Sequence, residues 1–424
     1  MSFDNLGLDA RLMQAVASMG YAEPTPIQSG AIPLVLAGRD VVGCAQTGTG
    51  KTAAFVLPTL QRITARKGGI ACLIVTPTRE LALQIEEVAK TASKSTRHRV
   101  AAVYGGVGYE PQRRALQHGV DMLVATPGRL LDLAGSRHVD LSRVEVLVLD
   151  EADRMLDQGF WPDVKRILAL LPPIRQTLLF SATMTPEVLR IVGDTLDNPA
   201  RIDVAPPSTP IEAIEQRIFP VSGTQKSDLL IHMIEEHRLD RVLVFTRTKH
   251  RADRVAHSLE RAGVRSAAIH GNRSQSQRVR ALSDFKRGSC RVLVATDIVA
   301  RGIDVDGITH VINYDLPNVP EDYVHRIGRT ARAGKSGSAF TLLAPEEHDN
   351  LRDIEKMIGA VITAGTDAVG FRYDESRVVP DPERNPNAPK HQPAPAGKRR
   401  VGRTGGQGRA SGSGNSGGYR GKRA

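Results

Sequence analysis

The sequence predicts an α/β protein built from two parallel-sheet domains and a disordered basic tail. Short apolar runs alternate with helical patterns, this alternation restarts after a Pro-rich segment, and the last residues are rich in Gly and Arg. Near-continuous apolar strands that alternate with helices are typical of parallel sheets covered on both faces. The length of 424 residues is sufficient for two or three domains.

The first domain is indicated by five apolar runs, each followed by polar or Gly-rich residues and a helical pattern. The predicted strands are residues 41–44, 70–75, 122–125, 144–149 and 177–180. Ligands of an open parallel sheet bind at the carboxyl ends of the strands, where loops and helix N-termini converge. Most polar clusters of this sequence directly follow such a strand.

The second domain repeats this alternation. Its predicted strands are residues 242–245, 267–269, 291–295, 310–314 and 338–343. The uncharged, Pro-rich residues 205–210 are typical of an interdomain linker. We therefore expect one domain over residues 1–207, a second over 208–373 and a tail over 374–424. A ligand in the cleft between the two sheets could control their closure.

The tail carries nearly all of the net charge of +11. From Arg384 onward there are ten Lys and Arg and no Asp or Glu, which leaves about +1 for the preceding residues. Nine of the last 24 residues are Gly, and apolar side chains are scarce. Such a segment buries too little surface to offset the entropy of folding, so we expect it to be disordered.

The sequence does not favour a membrane-spanning protein or an exported one. No apolar run approaches the roughly 20 residues that span a bilayer, and the N-terminal residues lack the basic and apolar regions of an export signal. We expect a soluble, cytoplasmic protein without a membrane partner. Cys44, Cys72 and Cys290 match neither a disulfide framework nor zinc-ligand spacing, and we expect them to be small buried residues.

A phosphate-binding loop is predicted directly after the first strand. It consists of Ala45, Gln46, Thr47, Gly48, Thr49, Gly50, Lys51 and Thr52, with Ala in place of the usual first Gly. Backbone amides at the start of the next helix would face phosphate groups, Lys51 would reach the β and γ oxygens, and Thr52 would ligate Mg²⁺. An ordinary Gly-rich turn is the alternative, but strand, loop and helix occur here in register.

An acidic tetrapeptide, Asp150-Glu151-Ala152-Asp153, follows the apolar run 144–149. Its position at a strand end places Asp150 at the edge facing the phosphate loop, where it can hold Mg²⁺ through water molecules. Glu151 can then orient and deprotonate an attacking water. A solvated acidic loop would explain the tetrapeptide alone, but together with the phosphate loop it indicates a nucleoside triphosphatase.

These residues resemble the DEAD-box RNA helicases. The tetrapeptide spells the family name, Ser181-Ala182-Thr183 follows the next strand, and the resemblance covers about residues 1–345 in order. It implies two tandem RecA-like domains and ATP hydrolysis coupled to RNA. The opening Ser2-Phe3 and the Gly-rich basic tail are most similar to the bacterial RhlE-like branch of the family.

The resemblance assigns an adenine-reading motif to residues 20–28, with Phe3 upstream. It implies that Gln28 makes two hydrogen bonds to the adenine edge, which favours ATP over GTP. Phe3 and Tyr21 are implied to lie in the same site. Without the family, this stretch would be interpreted as a Pro-rich loop before a helix.

In the second domain, residues 323–332 match the arginine-finger motif of the family. Arg329 and Arg332 lie three apart, on one helix face, and are implied to point at the γ-phosphate across the cleft. Ala331 stands where the family usually has Gly, which we expect to be tolerated. The implied catalytic residues are Lys51, Asp150, Glu151, Arg329 and Arg332. A solvated basic helix is the alternative interpretation of this segment.

The resemblance also implies a ribose contact and a set of residues that join the two domains. Asp304 is implied to contact the ribose. The coupling residues are Asp153, Ser181, Thr183, Asp297, Arg301 and His325.

Further strand ends match the RNA-contacting motifs of the family. These residues are Pro77, Thr78, Arg79, Gly105, Gly106, Thr126 and Arg129 in the first domain and Thr246, Arg247, His270, Gly271, Gln277, Arg280 and Thr296 in the second. Hydroxyls, guanidiniums and backbone amides bind phosphate without reading sequence, although each residue alone could equally be a helix cap or a turn. Aromatic residues make up 4%, so backbone and 2′-hydroxyl contacts are expected to dominate over base stacking and to favour RNA over DNA.

The implied function is that of an ATP-dependent RNA helicase. RNA-stimulated ATP hydrolysis would be coupled to domain closure and to local, non-processive unwinding of duplexes or remodelling of RNA–protein complexes. The tail would add a looser hold on RNA through counterion release, with a solubilising extension as the alternative. An ATP-dependent RNA clamp and a DNA-directed helicase are the competing functions. Ribosome assembly, messenger decay and cold-adapted unfolding of structured RNA all fit, and the sequence identifies neither protein partners nor an oligomeric state.

Overall fold

The computed structural model describes residues 2–45, 48–63, 69–204, 214–297, 305, 307–331, 336–365 and 371, all within the unit Met1–Pro380. It contains two seven-stranded sheets in which every paired strand runs parallel. This confirms the predicted α/β class. The predicted tail and the predicted linker lie outside the described residues, and the domain boundaries at 207 and 373 stay predictions.

The first sheet is formed by seven strands and is accompanied by nine described helices. The strands are β1 Val41–Cys44, β2 Cys72–Val75, β3 Val100–Val103, β4 Met122–Ala125, β5 Val146–Asp150, β6 Gln176–Ser181 and β7 Ala200–Asp203. The helices are α1 Ala10–Ser18, α2 Pro26–Leu36, α3 Lys51–Arg62, α4 Arg79–Ser93, α5 Tyr109–Gln117, α6 Pro127–Gly135, α7 Ala152–Asp157, α8 Trp161–Leu168 and α9 Pro186–Thr195. A 3₁₀ helix over Phe3–Leu6 precedes them.

The second sheet follows the same alternation. Its strands are β8 Ile214–Pro220, β9 Val242–Phe245, β10 Ser266–Ile269, β11 Val292–Ala295, β12 His310–Asn313, β13 Gly337–Leu343 and β14 Thr363–Ala364. The helices described are α10 Lys226–Glu236, α11 Lys249–Arg261, α12 Gln275–Lys286, α13 Pro320–Ile327 and α14 His348–Ile358, with a 3₁₀ helix over Pro345–Glu347.

The two sheets have the same strand order. It is β3-β4-β2-β5-β6-β1-β7 in the first sheet and β10-β11-β9-β12-β13-β8-β14 in the second. Each strand of the second sheet therefore corresponds in position to a strand of the first sheet whose number is lower by seven. In particular, β8 corresponds to β1, and β12 corresponds to β5.

All ten predicted strands are present, with ends that differ by at most two residues. Four strands were missed: β3, β7, β8 and β14. Three of these lie at the edge of a sheet: β7 and β14 are buried little or not at all, and β3 is largely buried but contains two small Ala residues, so the apolar signal is weak in each. The fourth, β8, contains three consecutive polar residues, Glu215 to Arg217, and is buried only in part.

The core of the first half lies on both faces of its sheet. Val41 and Val42 of β1 are adjacent and both buried, yet they pack into separate apolar layers, as do Leu147 and Val148 of β5. Successive side chains of a strand point to opposite faces, so both faces are covered. Polar side chains are consequently left for the ends of the strands.

Two further sequence expectations concern the burial of the cysteines and the presence of membrane-spanning helices. Cys72 and Cys290 are buried small residues, as predicted, whereas Cys44 at the end of β1 is only half-buried. Across the described ranges, no helix combines the length and the apolar character needed to cross a bilayer.

Candidate functional site

The loop after β1 has the backbone geometry of an anion site. Gly48 and Gly50 have φ values of 87° and 89°, and Gly50 caps the N-terminus of α3. A side chain at Gly50 would be strained, and its Cβ would lie 2.5 Å from Nε2 of Gln28. Amides at a helix N-terminus attract anions. Gln46 and Thr47 of the predicted loop lie outside the described residues.

Lys51 is the first residue of α3 and is buried, with 6% of its surface exposed. Its Nζ donates a hydrogen bond to the carbonyl oxygen of Ala45 at 2.8 Å. Thr52 follows in the first turn of the same helix and is half-buried. The ammonium group thus lies at the loop that was predicted to hold phosphate.

Asp150 is the last residue of β5 and is almost fully buried. Burial raises the pKa of this carboxyl group to about 7, although the nearby charge of Lys51 acts in the opposite direction. The two residues predicted to hold Mg²⁺ and phosphate therefore lie close enough to interact. Their coupling requires β1 and β5 to end at one edge of the sheet, on either side of β6.

Glu151 occupies a left-handed backbone conformation with φ of 54°, which turns the chain from β5 into α7. Its buried carboxylate forms an ion pair with the buried guanidinium of Arg154. Sequence reasoning missed Arg154, although it follows Glu151, the N-cap residue of α7, by only three residues.

Asp153 links α7 to the loop after β6. Its Oδ2 accepts hydrogen bonds from the amides of Ala182 and Thr183 at 3.0 and 2.9 Å and from the Thr183 hydroxyl at 3.0 Å. Its own amide donates to Ser181 Oγ at 3.3 Å. The structure therefore brings together three of the residues that were predicted to couple the domains.

The predicted adenine site lies beside the phosphate loop. The rings of Phe3 and Tyr21 are stacked, with centroids 6.5 Å apart. Gln28 is buried; its Oε1 accepts a hydrogen bond from the Thr25 amide at 2.9 Å, and its Nε2 donates to the carbonyl oxygen of Gly50 at 3.1 Å. Gln28 thus connects α2 to the phosphate loop, and the role of these residues in reading adenine stays a prediction.

In the second half, Arg329 is buried and its Nε donates to the carbonyl oxygen of His325 at 3.1 Å. Both residues lie where α13 ends. The other predicted finger, Arg332, lies outside the described residues, as do Arg301 and Asp304.

Asp297 forms a bidentate ion pair with Arg326, a buried residue of α13 that sequence reasoning missed. The Nε–Oδ1 and Nη2–Oδ2 distances are 2.5 and 2.7 Å. The Arg326 Nη1 also donates to Asn313 Oδ1 at 3.2 Å and to the carbonyl oxygen of Asp315 at 2.6 Å. Arg326 therefore anchors α13 to the end of β12, which orients the helix that carries His325.

Three predicted RNA contacts of the first half, Arg79, Gly105 and Gly106, lie against one another. The guanidinium of Arg79, at the start of α4, packs on Gly105 and Gly106, and a Cβ at Gly106 would lie 1.8 Å from Arg79 Nη1. Gly106 also has a φ of 77°. Only glycine permits both this conformation and this close approach.

Arg129 near the start of α6 is held by three neighbours. Its guanidinium donates to Gln112 Oε1 at 3.1 Å and to the Val107 carbonyl oxygen at 2.9 Å, and it stacks over the Tyr109 ring at 4.1 Å. Thr78 and Thr126 sit at the N-cap positions of α4 and α6. Pro77 is buried directly before Thr78.

The RNA contacts predicted in the second half have mixed environments. Thr246 and Thr296 are buried at strand ends, and His270 is buried with its Nε2 2.8 Å from Asp253 Oδ1. Gly271 is exposed in the turn that follows. These residues lie after β9, β10 and β11, which are adjacent strands.

Two other residues of this set, Gln277 and Arg280, lie on α12. Gln277 closes a capping box with Ser274 at the start of α12, and the side chain of Arg280 is 86% exposed. Gln275 and Arg278, on the same helix, form polar contacts with the first half. Both bond Glu80: Gln275 Nε2 lies 3.2 Å from Oε1, and Arg278 Nη2 lies 2.5 Å from Oε2. All three side chains are buried.

Comparison with known proteins agrees with this geometry. The family model for the DEAD/DEAH box helicase matches residues 25–191, and the model for the helicase conserved C-terminal domain matches residues 225–334. The ATP-dependent RNA helicase CshA of Listeria monocytogenes is 45% identical over 354 residues, which cover 84% of this chain and 68% of the relative. The chain belongs to the DEAD-box ATP-dependent RNA helicases.

Other relatives and solved structures support this family assignment. The CshA helicase of Geobacillus kaustophilus is 43% identical over 84% of this chain and 76% of its own. A structure of S. cerevisiae Dbp5 bound to RNA and ADP BeF3 matches with a TM-score of 0.77 and 32% identity, covering 86% of this chain and 95% of Dbp5. A DEAD box protein from Methanococcus jannaschii matches with a TM-score of 0.52 and 37% identity over 86% and 99% of the two chains. The curated relatives named here are CshA helicases rather than members of the RhlE-like branch.

Proposed function

We propose that the edge carrying Lys51 and Asp150 binds ATP together with Mg²⁺. Two features suit the phosphate groups of ATP. Lys51 is buried and donates a hydrogen bond to a loop carbonyl oxygen, and the N-terminus of α3 is preceded by two glycines in the left-handed conformation. The Thr52 hydroxyl and the Asp150 carboxylate are hard oxygen donors of the kind that Mg²⁺ accepts through few direct bonds and several waters. The bound ion would neutralise charge on the β- and γ-phosphate oxygens.

Hydrolysis is assigned to Glu151, Arg329 and Arg332. Glu151 lies directly after the Asp150 that faces Lys51, so its carboxylate orients the water that attacks the γ-phosphate and takes its proton. Arg329 and Arg332 stabilise negative charge on the transferred phosphoryl group from the second half. The buried contact of Glu80 with Gln275 and Arg278 supports this assignment, since it joins the two halves.

RNA binds along strand ends of both sheets, through the backbone rather than the bases. Arg79 with Gly105 and Gly106, and Arg129 with Thr126, supply guanidiniums, amides and hydroxyls in the first half. Arg247 and Gly271 supply equivalent groups in the second half. The likeness to Dbp5, whose solved structure contains RNA, supports this role. Contacts to 2′-hydroxyls favour RNA over DNA.

Unwinding is local and non-processive. A strand that follows both sheets must bend, and a duplex cannot follow that path without losing base pairs. Asp153, through Ser181 and Thr183, connects the hydrolytic edge to the next strand end, which links phosphate release to release of the strand. Duplexes and RNA–protein complexes of ribosomal precursors or of RNA decay are suitable substrates, and the basic tail over 374–424 extends the hold on RNA.

The observation that carries this proposal is the meeting of Lys51 and Asp150 at one sheet edge. Glu151→Gln tests it, since the amide keeps the shape of the side chain but cannot accept the proton. We expect RNA-stimulated turnover to fall by about 10²–10⁴-fold, the usual contribution of general base catalysis, with ATP-dependent RNA binding retained. Steady-state ATPase and RNA anisotropy measurements check both parts.

Retained turnover in this variant would contradict the role of Glu151. A strand-displacement assay and a clamp-lifetime assay on the wild-type protein separate unwinding from an RNA clamp. ATPase stimulation by DNA equal to that by RNA would favour the DNA-directed alternative. Lys165→Gln, on the exposed face of α8, is a suitable control for loss of one charged group in the same half.

A further inference from the structure

The second sheet carries a buried lysine at the place that Lys51 has in the first. Lys51 is the first residue of α3, the helix after β1, and Lys226 is the first residue of α10, the helix after β8. The strands β1 and β8 occupy the same position in the two sheets. Both side chains are buried.

A carboxylate near the end of the corresponding strand also faces each lysine, although the strand register aligns Asp315 with Glu151 and Tyr314 with Asp150. Asp150 ends β5 in the first sheet, and Asp315 lies two residues beyond β12, the corresponding strand of the second. Lys226 Nζ lies 3.9 Å from Asp315 Oδ1. Each sheet therefore has a buried lysine close to a buried carboxylate at the same edge.

The surroundings of the two lysines differ in one decisive respect. Lys226 Nζ forms a 2.5 Å ion pair with Glu347 Oε2 and donates to the Tyr314 carbonyl oxygen at 2.6 Å. The anion that pairs with Lys226 is thus a side chain of the protein itself, Glu347, which belongs to the 3₁₀ helix after β13. Lys51 instead faces the phosphate loop. We call Lys226, Asp315 and Glu347 the second-edge cluster. All three side chains are at most 4% exposed.

Both carboxylates of the second-edge cluster also reach outward to the loop after β9. Asp315 Oδ2 accepts a hydrogen bond from the Arg247 amide at 2.9 Å, and Glu347 Oε1 accepts one from Arg247 Nη2 at 3.2 Å. Arg251 Nη1 lies 2.5 Å from Asp315 Oδ1. The Arg247 side chain remains 37% exposed. Its guanidinium therefore bonds a buried carboxylate on one side and is accessible to solvent on the other.

Charge explains why Lys226 is needed for this arrangement. Two buried carboxylates without a buried cation would repel each other and would draw both neighbouring guanidiniums inward. With Lys226 between them, each carboxylate is neutralised from the inside and keeps an oxygen for the loop that carries Arg247. The depth of the Arg247 guanidinium is therefore set by charges buried behind it.

We propose that the second-edge cluster positions Arg247 for an RNA phosphate. Lys226, Asp315 and Glu347 are positioning residues that contact no RNA themselves. This inference rests on the proposed role of Arg247 in RNA binding.

Glu347→Gln in the full-length chain is the principal test. The amide keeps the shape of Glu347 but weakens the bond to Arg247 and leaves Lys226 facing mainly Asp315. We expect the RNA concentration for half-maximal ATPase to rise by about tenfold, the scale of one charged hydrogen bond, while kcat at saturating RNA and KM for ATP change less than about twofold. The probe is a labelled single-stranded RNA.

Asp349→Asn is the matched control. It removes one carboxylate from α14, two residues away, but that side chain is 88% exposed and pairs with Arg352. We expect wild-type RNA dependence from it. Thermal melting shows whether each variant is folded. Lys226→Met should shift RNA dependence in the same direction, and if it fails to fold, Glu347→Gln decides the matter.

A double-mutant cycle separates positioning from general stability. If Glu347 acts through Arg247, Glu347→Gln adds less than about twofold to the loss already caused by Arg247→Ala. Full additivity, or unchanged RNA dependence in Glu347→Gln alone, would overturn the positioning role. Arg247→Ala without any loss of RNA affinity would instead refute the RNA contact itself.

Discussion

The carboxyl edges of the two sheets share a topology but differ in how their charges are used. In the first, Lys51 donates to a loop carbonyl oxygen and lies near the buried Asp150. In the second, Lys226 is enclosed by Glu347, Asp315 and a carbonyl oxygen. The comparison shows that Glu347, a carboxylate of the chain itself, neutralises the lysine at the second edge, whereas the hydrogen bond described for Lys51 at the first edge is to an uncharged carbonyl oxygen.

The largest difference is expected between the two lysine variants. Lys51→Met should lower kcat for ATP hydrolysis by about 10³-fold or more, the scale of removing one charged group from phosphoryl transfer. Lys226→Met should instead raise the RNA requirement and leave kcat at saturating RNA within about twofold. RNA-stimulated ATPase measured across ATP and RNA concentrations distinguishes them. A similar loss of kcat in both would mean that the second edge also takes part in catalysis.

A smaller effect is expected at the contact that joins the two halves. Glu80→Gln removes the charge that pairs with buried Arg278, so ATP-dependent RNA affinity should fall by about tenfold. RNA anisotropy with a non-hydrolysable ATP analogue measures this loss. Restoration by Glu80→Arg combined with Arg278→Glu would support the pairing.

The control for this contact is Asp163→Asn, which breaks an exposed ion pair with Arg166 on α8. Exposed pairs contribute little, so no change in RNA affinity is expected. Wild-type affinity in Glu80→Gln would show that the contact is absent from the RNA-bound state.

The smallest effect concerns the pH dependence of stability at the first edge. Burial raises the pKa of Asp150 from 3.8 to about 7, so the folded state holds this proton more tightly than the unfolded state. The stability contributed by protonated Asp150 is fully present below pH 4 and is lost as pH rises to about 7. Asp150→Asn should remove this dependence.

Melting temperatures of the nucleotide-free protein at several pH values test this expectation. The wild type should lose a few degrees relative to Asp150→Asn between about pH 4 and 7. Parallel curves for the two proteins would show that Asp150 titrates normally.

The extent to which sequence predicted this structure differs between central and edge elements. Central strands such as β2, β4 and β9 are continuous apolar runs because both faces are buried, and they were predicted. The edge strands β7 and β14 have weaker patterns because their burial is incomplete, and the largely buried β3 has a weak pattern because two of its four residues are Ala. The same reasoning holds for the site: a loop motif reveals Lys51, whereas Lys226 has no motif, and its importance depends on Glu347, 121 residues away.

Sequence alone determined the two-sheet class, the family and the residues of the phosphate loop and the acidic tetrapeptide. These are properties of short, local patterns whose spacing is set by backbone geometry. The tertiary structure decided which charges meet: Glu80 with Arg278, Glu151 with Arg154, and Glu347 with Lys226 and Arg247. Such pairs depend on how strands order within a sheet and on which side chains lose contact with water, and neither is encoded in any single stretch of the chain.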